Sequence, residues 1–369
     1  MNATSPHVTI ILGTRPEIIK LAPIIRACEG RSLSHSVIHT GQHYSESLNE
    51  VFFDQLELPR PDYNLGVGSA SHGKQTGEMI IGIEEILLEE DTDIVLVQGD
   101  TNSVLAGTIA ATKLDCKVGH VEAGLRSFDR DMPEEKNRVV ADHTADCLFA
   151  PTKKSKEFLL EEGLPEERIF VTGNTVVDAV QQNRELASRK SSAIDDLDLM
   201  GEYGILTAHR AENVDDKKIF ENLLEGVNRV GSDLGIEFLY PIHPRARGKL
   251  KEFGLEVPEH VRTIPPQDYL DFLKLQNNAE LILTDSGGIQ EEACILGIPC
   301  VTLRENTERP ETLEVGANCL SGTEPGEIVD GARTMFGTEF DWENPFGDGS
   351  AAQLILDTIQ IDVPVEASV

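Results

Sequence analysis

Short apolar runs alternate along the chain with longer segments whose apolar positions recur every three or four residues. HVTIILG leads into PEIIKLAPIIRAC, HSVIHT into SESLNEVFF, and DIVLVQGD into SVLAGTIAATKL, before KVGHVEAG, CLFAP and IFVTG add three more apolar runs. This βα alternation predicts a doubly wound parallel sheet. A polar stretch over residues 181–198, rich in charge and Ser, breaks the pattern and places a hinge within residues 174–198. A second series then begins with GEYGILTAHR and continues through IEFLYPIH, VRTIPP, ELILTDSGG and PCVTLRE, with helices such as IQEEACILG between them. The prediction is an α/β protein of two Rossmann-like domains, residues 1–180 and 181–347. The final pattern SAAQLILDTIQ follows the turn-rich WENPFGDG, and by analogy a last helix over about residues 348–369 packs back on the first domain.

Composition changes this picture in only two respects. At 369 residues and 40% hydrophobic content the chain exceeds one ordinary core, which agrees with two domains. Its 64 acidic against 32 basic residues leave a formal net charge of -32, which argues against nucleic acid as a partner. The acids are spread along the chain, and the excess reads either as a solvated surface suited to a very salty cytosol or as ordinary acidity. Six scattered cysteines show no metal-type spacing and suit a reducing compartment, as buried small hydrophobes. The opening MNATSPHVTIILG reads as a first strand and not as a signal peptide, and no stretch is long enough to span a membrane. A cytoplasmic location is the expectation.

Candidate chemistry sits where strands end. In LTDSGGIQEEA a Ser-Gly-Gly turn joins a strand to a helix, so that Ser286, Gly287 and Gly288 could cradle a diphosphate on free N–H groups. Glu292, one turn further on, could take both hydroxyls of a ribose. The first loop, GTRPE, offers Arg15 to a phosphate, with Lys20 on the same helix. VQGDT and HVEAGLR end two strands in Asp100 and Glu122, and MPEEKNR adds Glu134 and Glu135. Any one of these acids could equally cap a helix or pair with an Arg; three on one rim favour chemistry. His209, in TAHRAEN, opens the second series opposite them as a charge clamp. GVGSAS, residues 66–71, has a faint look of a dinucleotide loop but follows no predicted strand and is set aside.

Taken together, GTRPEIIKLAP, GQHY, QGDT, HVEAGLRS, PEEKNR, GNTVVDA, TAHRAEN, YPIHP, TDSGGIQEEA, TERPE and NPFGDG resemble, in order, the motifs of the non-hydrolysing UDP-N-acetylglucosamine 2-epimerase family. The resemblance covers nearly the whole chain. It implies a GT-B-like arrangement with the active site in the interdomain cleft, a UDP-sugar substrate, no nicotinamide cofactor, no required metal, and a homodimer. It also implies that Asp100, Glu122 and Glu134 are catalytic acids, with His209 and Arg15 near the diphosphate. Lys20, Ser286, Gly287, Glu292 and Arg309 match substrate-binding positions.

The implied chemistry is consistent with that set. C2–H of the sugar is not acidic and C1 is a closed acetal, so breaking the C1–O bond is the accessible route. As UDP leaves, a carboxylate removes the C2 proton to give 2-acetamidoglucal; re-addition with protonation from the other face inverts C2. The adjacent Glu134 and Glu135 leave that assignment open by one position. Members regulated by a second UDP-GlcNAc carry a basic residue and then Gln or an acid after Gln-His, whereas Tyr44 and Ser45 follow Gln42 and His43 here. Lys74, Arg210 and His243 are further regulatory candidates. Alternative readings are epimerisation of UDP-2,3-diacetamido-glucuronate, whose extra carboxylate Arg245 or Arg247 could meet, a GT-B glycosyltransferase, and a nucleotide-sugar sensor.

Overall fold

The structure, a computed structural model, describes residues 5–42, 46–338 and 341–362. Two compact units divide the chain, one of residues 1–181 and 346–369 and the other of residues 182–345. In the first unit β1 (Val8–Leu12), α1 (Arg15–Arg31), β2 (His35–His39), α2 (Glu46–Gln55), β3 (Tyr63–Asn64) and α3 (His72–Glu89) form one half. The other half holds β4 (Ile94–Gln98), α4 (Asn102–Ala111), β5 (Lys117–Val121), α5 (Pro133–Thr144), β6 (Cys147–Ala150), α6 (Lys153–Glu161), β7 (Ile169–Val171) and α7 (Thr175–Lys190). The seven strands are parallel in the order β3-β2-β1-β4-β5-β6-β7, so the winding reverses between β1 and β4.

The second unit begins with α8 (Ala193–Asp196), β8 (Tyr203–Thr207), α9 (Ala211–Val214), α10 (Lys217–Leu234), β9 (Glu237–Pro241) and α11 (Pro244–Phe253). It continues with β10 (Val261–Ile264), α12 (Tyr269–Asn277), β11 (Leu281–Thr284), α13 (Gly287–Leu296), β12 (Cys300–Thr302), α14 (Pro310–Glu314), β13 (Asn318–Leu320) and α15 (Pro325–Met335). Its parallel order is β10-β9-β8-β11-β12-β13, with the reversal between β8 and β11. The last helix, α16 (Ala351–Asp362), belongs to the first unit. Arg31 of α1 meets Asp357 at 2.6 Å, and Asp178 of α7 takes the Ala352 N–H at 3.0 Å.

Burial on both faces explains the unbroken apolar runs. Along β8, Ile205 joins one apolar cluster with Leu239, Ile282 and Ala293, while Leu206 joins another with Phe220, Leu223 and Phe238. In the first unit Ile11, Val95 and Val97 meet Met79 and Ile83 of α3 and Val104 of α4. Cys28, Cys147, Cys294 and Cys300 are buried thiols and Cys116 and Cys319 are half-buried, all six unbridged.

Three local readings of the sequence are corrected. The polar stretch taken as an interruption is helical: α7 runs on to Lys190 and α8 follows at Ala193–Asp196. Two edge strands, β3 and β13, were missed, being two and three residues long. The GVGSAS loop does follow a strand, β3, yet it holds no ligand cradle. Val67 and Gly68 donate their N–H groups to the carbonyls of Thr40 and Gly41, at 3.1 and 2.9 Å.

Glu17 ties the start of α1 to the β4–α4 connection. Fully buried, it accepts the N–H groups of Gly13 and Thr14 at 2.9 and 2.7 Å and the Thr101 hydroxyl at 2.6 Å. Burial pushes its carboxyl from 4.5 up to about 7, against the pull of those donors. The unfolded chain therefore releases this proton first, and stability falls as pH rises from 4.5 to about 7, by on the order of 3 kcal/mol. We expect Glu17→Gln to flatten that fall in urea unfolding at fixed molar KCl. An unaltered slope would mean that the three donors already keep the carboxylate ionised.

Candidate active site

Both winding reversals carry candidate chemistry at the carboxyl ends of their strands, the place where parallel sheets of this kind bind ligands. After β1 the chain turns at Gly13, where a Cβ would lie 2.0 Å from Thr40 Oγ1 and 2.3 Å from Ser103 Oγ. Arg15 is exposed, its guanidinium 5.7 Å from the centre of the Phe52 ring. One turn along α1, Lys20 Nζ lies 2.7 and 2.9 Å from the two oxygens of Glu122. Glu122 follows β5 in the left-handed region, with φ 68, a conformation that costs a non-glycine residue about 1–3 kcal/mol. The Gln98 amide and, at 3.4 Å, the Asn174 amide also bond its carboxylate.

Asp100 follows β4 and is half-buried. Arg138 of α5 bonds the Asp100 carboxylate and, at 2.8 Å, the Glu135 carboxylate. Glu135 is buried and also accepts Ser127 N, Ser127 Oγ and Phe128 N, each at 3.0 Å. Glu134 beside it is partly exposed and has no hydrogen bond or ion pair among the described residues. Glu135 is thus committed to holding the loop, and Glu134 is the one of the pair with capacity for another partner.

In the second unit, buried Asp285 organises the end of β8. It accepts the N–H groups of His209 and Arg210 at 2.8 and 2.9 Å and the Asn213 amide at 3.2 Å. His209 Nδ1 stands 3.2 Å from its other oxygen, which turns Nε2 of the half-exposed ring away from the aspartate. Burial would raise the Asp285 pKa, but His209 and the two N–H groups outweigh it and hold the carboxyl low. Ser286 heads α13 with no cap bond from its side chain, so the first N–H groups of the helix are not taken up by its hydroxyl. Glu292 is held at 2.7 Å by the Gln276 amide. Arg309 is held by buried Glu291 at 2.6 Å. Beside this turn Arg304 grips Glu308 through two contacts of 2.9 Å and pulls its carboxyl down to about 2.

Residues 26–360 match the sequence profile of UDP-N-acetylglucosamine 2-epimerases. A protein of Methanocaldococcus jannaschii named UDP-N-acetylglucosamine 2-epimerase is 52% identical over 94% of this chain and 97% of its own length. The chain belongs to the UDP-N-acetylglucosamine 2-epimerase family. The crystal structure of the M. jannaschii UDP-GlcNAc 2-epimerase in complex with UDP-GlcNAc and UDP superposes with a TM-score of 0.84, at 51% identity, over 96% of this chain and 99% of that one. A UDP-2,3-diacetamido-2,3-dideoxy-D-glucuronate 2-epimerase of Pseudomonas aeruginosa is also similar, 40% identical over 94% of this chain and 97% of its own.

Against that family background, the structure gathers Asp100 and Glu122 at neighbouring strand ends and links Asp100 to α5, which carries Glu134. It gathers His209, Ser286, Gly287 and Gly288 at β8 and β11, with Arg210 and His243 close by; the His209 and His243 rings lie 5.8 Å apart. Gln42 is buried, its side-chain oxygen accepting Ser103 N and Oγ at 3.1 and 2.8 Å, while Lys74 is exposed beside Glu78. His43 lies outside the described residues. Arg245, a candidate for an extra substrate carboxylate, is instead engaged by Asp215. Sequence reading missed Gln98, Asn174, Arg138 and Asp285, although each lies inside or beside a quoted motif. Among the described residues no group of three or more His, Cys, Asp or Glu is placed to hold a metal ion, and no helix is long and apolar enough to cross a membrane.

Proposed function

We propose that this chain interconverts UDP-GlcNAc and UDP-ManNAc by eliminating UDP and adding it back. The observation that carries this reading is the pair of carboxylates Asp100 and Glu122 at neighbouring strand ends with Glu134 in the first turn of α5, only Glu135 of the adjacent pair being used up structurally. In the forward direction a carboxylate takes the C2 proton, the C1–O bond breaks with its electron pair leaving on UDP, and 2-acetamidoglucal remains. Re-addition of UDP to C1 with a proton delivered to the opposite face of C2 inverts that centre. Asp100, Glu122 and Glu134 move the protons, and Lys20, already on Glu122, keeps a cation beside the reacting sugar.

The leaving diphosphate is met by Ser286, Gly287 and Gly288 at the start of α13, with His209 and Arg15 as further partners. Glu292 takes the ribose hydroxyls, and Arg309 completes the turn. Asp285 supports this by fixing His209 from its buried side. The protein is expected to act as a homodimer, without nucleic acid, in the cytoplasm. Its family relatives bind UDP-GlcNAc and UDP, and the uncommitted Glu134 fits the same chemistry.

The test is incubation with UDP-GlcNAc in D2O at high KCl, with no metal, nicotinamide or acceptor added, followed by NMR. UDP-ManNAc carrying deuterium at C2 is the expected product. Free ManNAc with UDP would overturn re-addition, and an inert UDP-GlcNAc under folded conditions would shift the reading to the diacetamido-glucuronate substrate.

A further inference from the structure

The interior of the first unit holds a charged set that the proposed chemistry does not use. His120, next to the end of β5, is fully buried, with Nδ1 2.7 Å from Asp142 Oδ1 and Nε2 2.8 Å from the Gly99 carbonyl oxygen. A carboxylate and a carbonyl only accept, so both contacts require a proton on each ring nitrogen, and neutral imidazole carries one. Asp142 in turn accepts Arg126 at 2.6 Å and Gly124 N at 3.2 Å. Arg126 continues to Glu162 through contacts of 2.6 and 2.7 Å. Asp142 thus sits between two buried donors, His120 and Arg126, while Glu162 lies at the surface and also meets His143 Nε2 at 3.0 Å.

We propose that His120 is a standing imidazolium that positions the proton-transfer acids, an inference that rests on the roles given to Asp100 and Glu122 above. Its Nε2–H holds the peptide joining Gly99 to Asp100. Through Asp142 it holds Gly124, two residues beyond Glu122. Gly99 and Gly124 adopt their positive φ of 82 and 81 freely, whereas Glu122 at φ 68 is strained, so the turn after β5 is the one that needs an outside anchor. One cation therefore fixes the two acid-bearing loops to each other.

The groups around the ring are Asp142 from α5, the Gly99–Asp100 turn from the β4–α4 connection, and Glu122 and Arg126 from its own loop. Arg138 sits on Asp100, Lys20 on Glu122, and Glu162 lies beyond Arg126. Burial works to strip the proton; Asp142 first, then the Gly99 carbonyl and Glu122, outweigh it and hold the imidazolium above its ordinary 6.5. Loss of the proton thus moves to higher pH than in a free imidazole, and above that point the turns loosen and turnover falls.

The experiment labels the histidines with 15N and follows the ring nitrogens in molar KCl from about pH 6 to about pH 9. One histidine is expected to show two ring N–H signals that persist on the alkaline side and vanish in His120→Gln. A single neutral tautomer at neutral pH, or two-proton signals unaltered in the variant, overturns the proposal whatever the activity. His120→Gln and Asp142→Asn are further expected to lower kcat about 100-fold, as misplaced groups do, with KM within a few-fold and the alkaline limb displaced. Loss of folded protein with an unmoved kcat and pH profile in the folded fraction would mean a structural role only. If the wild-type chain fails to epimerise while the two-proton signal stands, the roles of the acids fail and not the charge state of His120.

Discussion

Glu122→Gln will lower turnover by roughly 10²- to 10⁴-fold, the range general acid–base catalysis supplies, while UDP still binds. The amide has the size of the carboxylate and can keep a contact with Gln98 or Asn174, but it can neither accept nor deliver the C2 proton. The left-handed backbone at Glu122 is set by the strand and its neighbours, so the substitution leaves the loop path in place. One complication is physical: Lys20, with its side chain 16% exposed, would face an amide in place of the Glu122 carboxylate. Lys20→Met in the same chain removes that charge, and turnover should stay low in the double variant if proton transfer is what Glu122 contributes. UDP binding by calorimetry separates the effects, because the turn proposed for the diphosphate lies at the start of α13, in the other unit. Turnover near the wild-type value in Glu122→Gln would remove this residue from the mechanism.

Asp100 and Glu122 stand out as candidates because each closes an apolar strand at the ligand end of a parallel sheet, whereas Glu134 was picked out only by its motif and lies in the first turn of α5. Strands buried on both faces announce themselves as continuous apolar runs, which is how the central strands were read, while the two strands missed, β3 and β13, are edge strands of two and three residues. The polar residues 181–198 misled for a related reason. Helix α7 has only part of its surface buried, so charge and Ser on its outer face look like a break. What stayed hidden was pairing between residues far apart in the chain. Glu17 with Thr101, His120 with Gly99 and Asp142, and Arg138 with Asp100 depend on strand order, which no local pattern states. A charged or polar residue inside an apolar strand was the available signal, since burial requires it to find a partner. His120 in KVGHV carries that signal.

Transfer from molar KCl to dilute buffer will unfold the protein or lower its melting temperature by tens of degrees, the second large effect. The formal net charge of -32 is spread along 369 residues, and its self-repulsion is screened over about 3 Å in 1 M salt but over about 30 Å in 0.01 M. The stress falls unevenly. Helix α3 carries Glu84, Glu85 and Glu89 near its end with no basic residue in its last turn, so the negative end of its dipole faces like charge, and Glu90, Asp91 and Asp93 follow at once. Hydrogen exchange in falling KCl should therefore open the end of α3 early. The interior pair Arg126 and Asp142, with side chains 1% and 0% exposed, lies out of reach of bulk ions, and amides anchored to it should open last. Lowering the pH protonates exposed carboxylates and reduces the charge that salt must screen, so the KCl dependence should shrink toward acid pH. That trend separates charge screening from a general salting-out effect, which would act at any charge. A chain that unfolds no more readily in dilute buffer than in molar KCl would show that its acidity is not an adaptation to a salty cytosol.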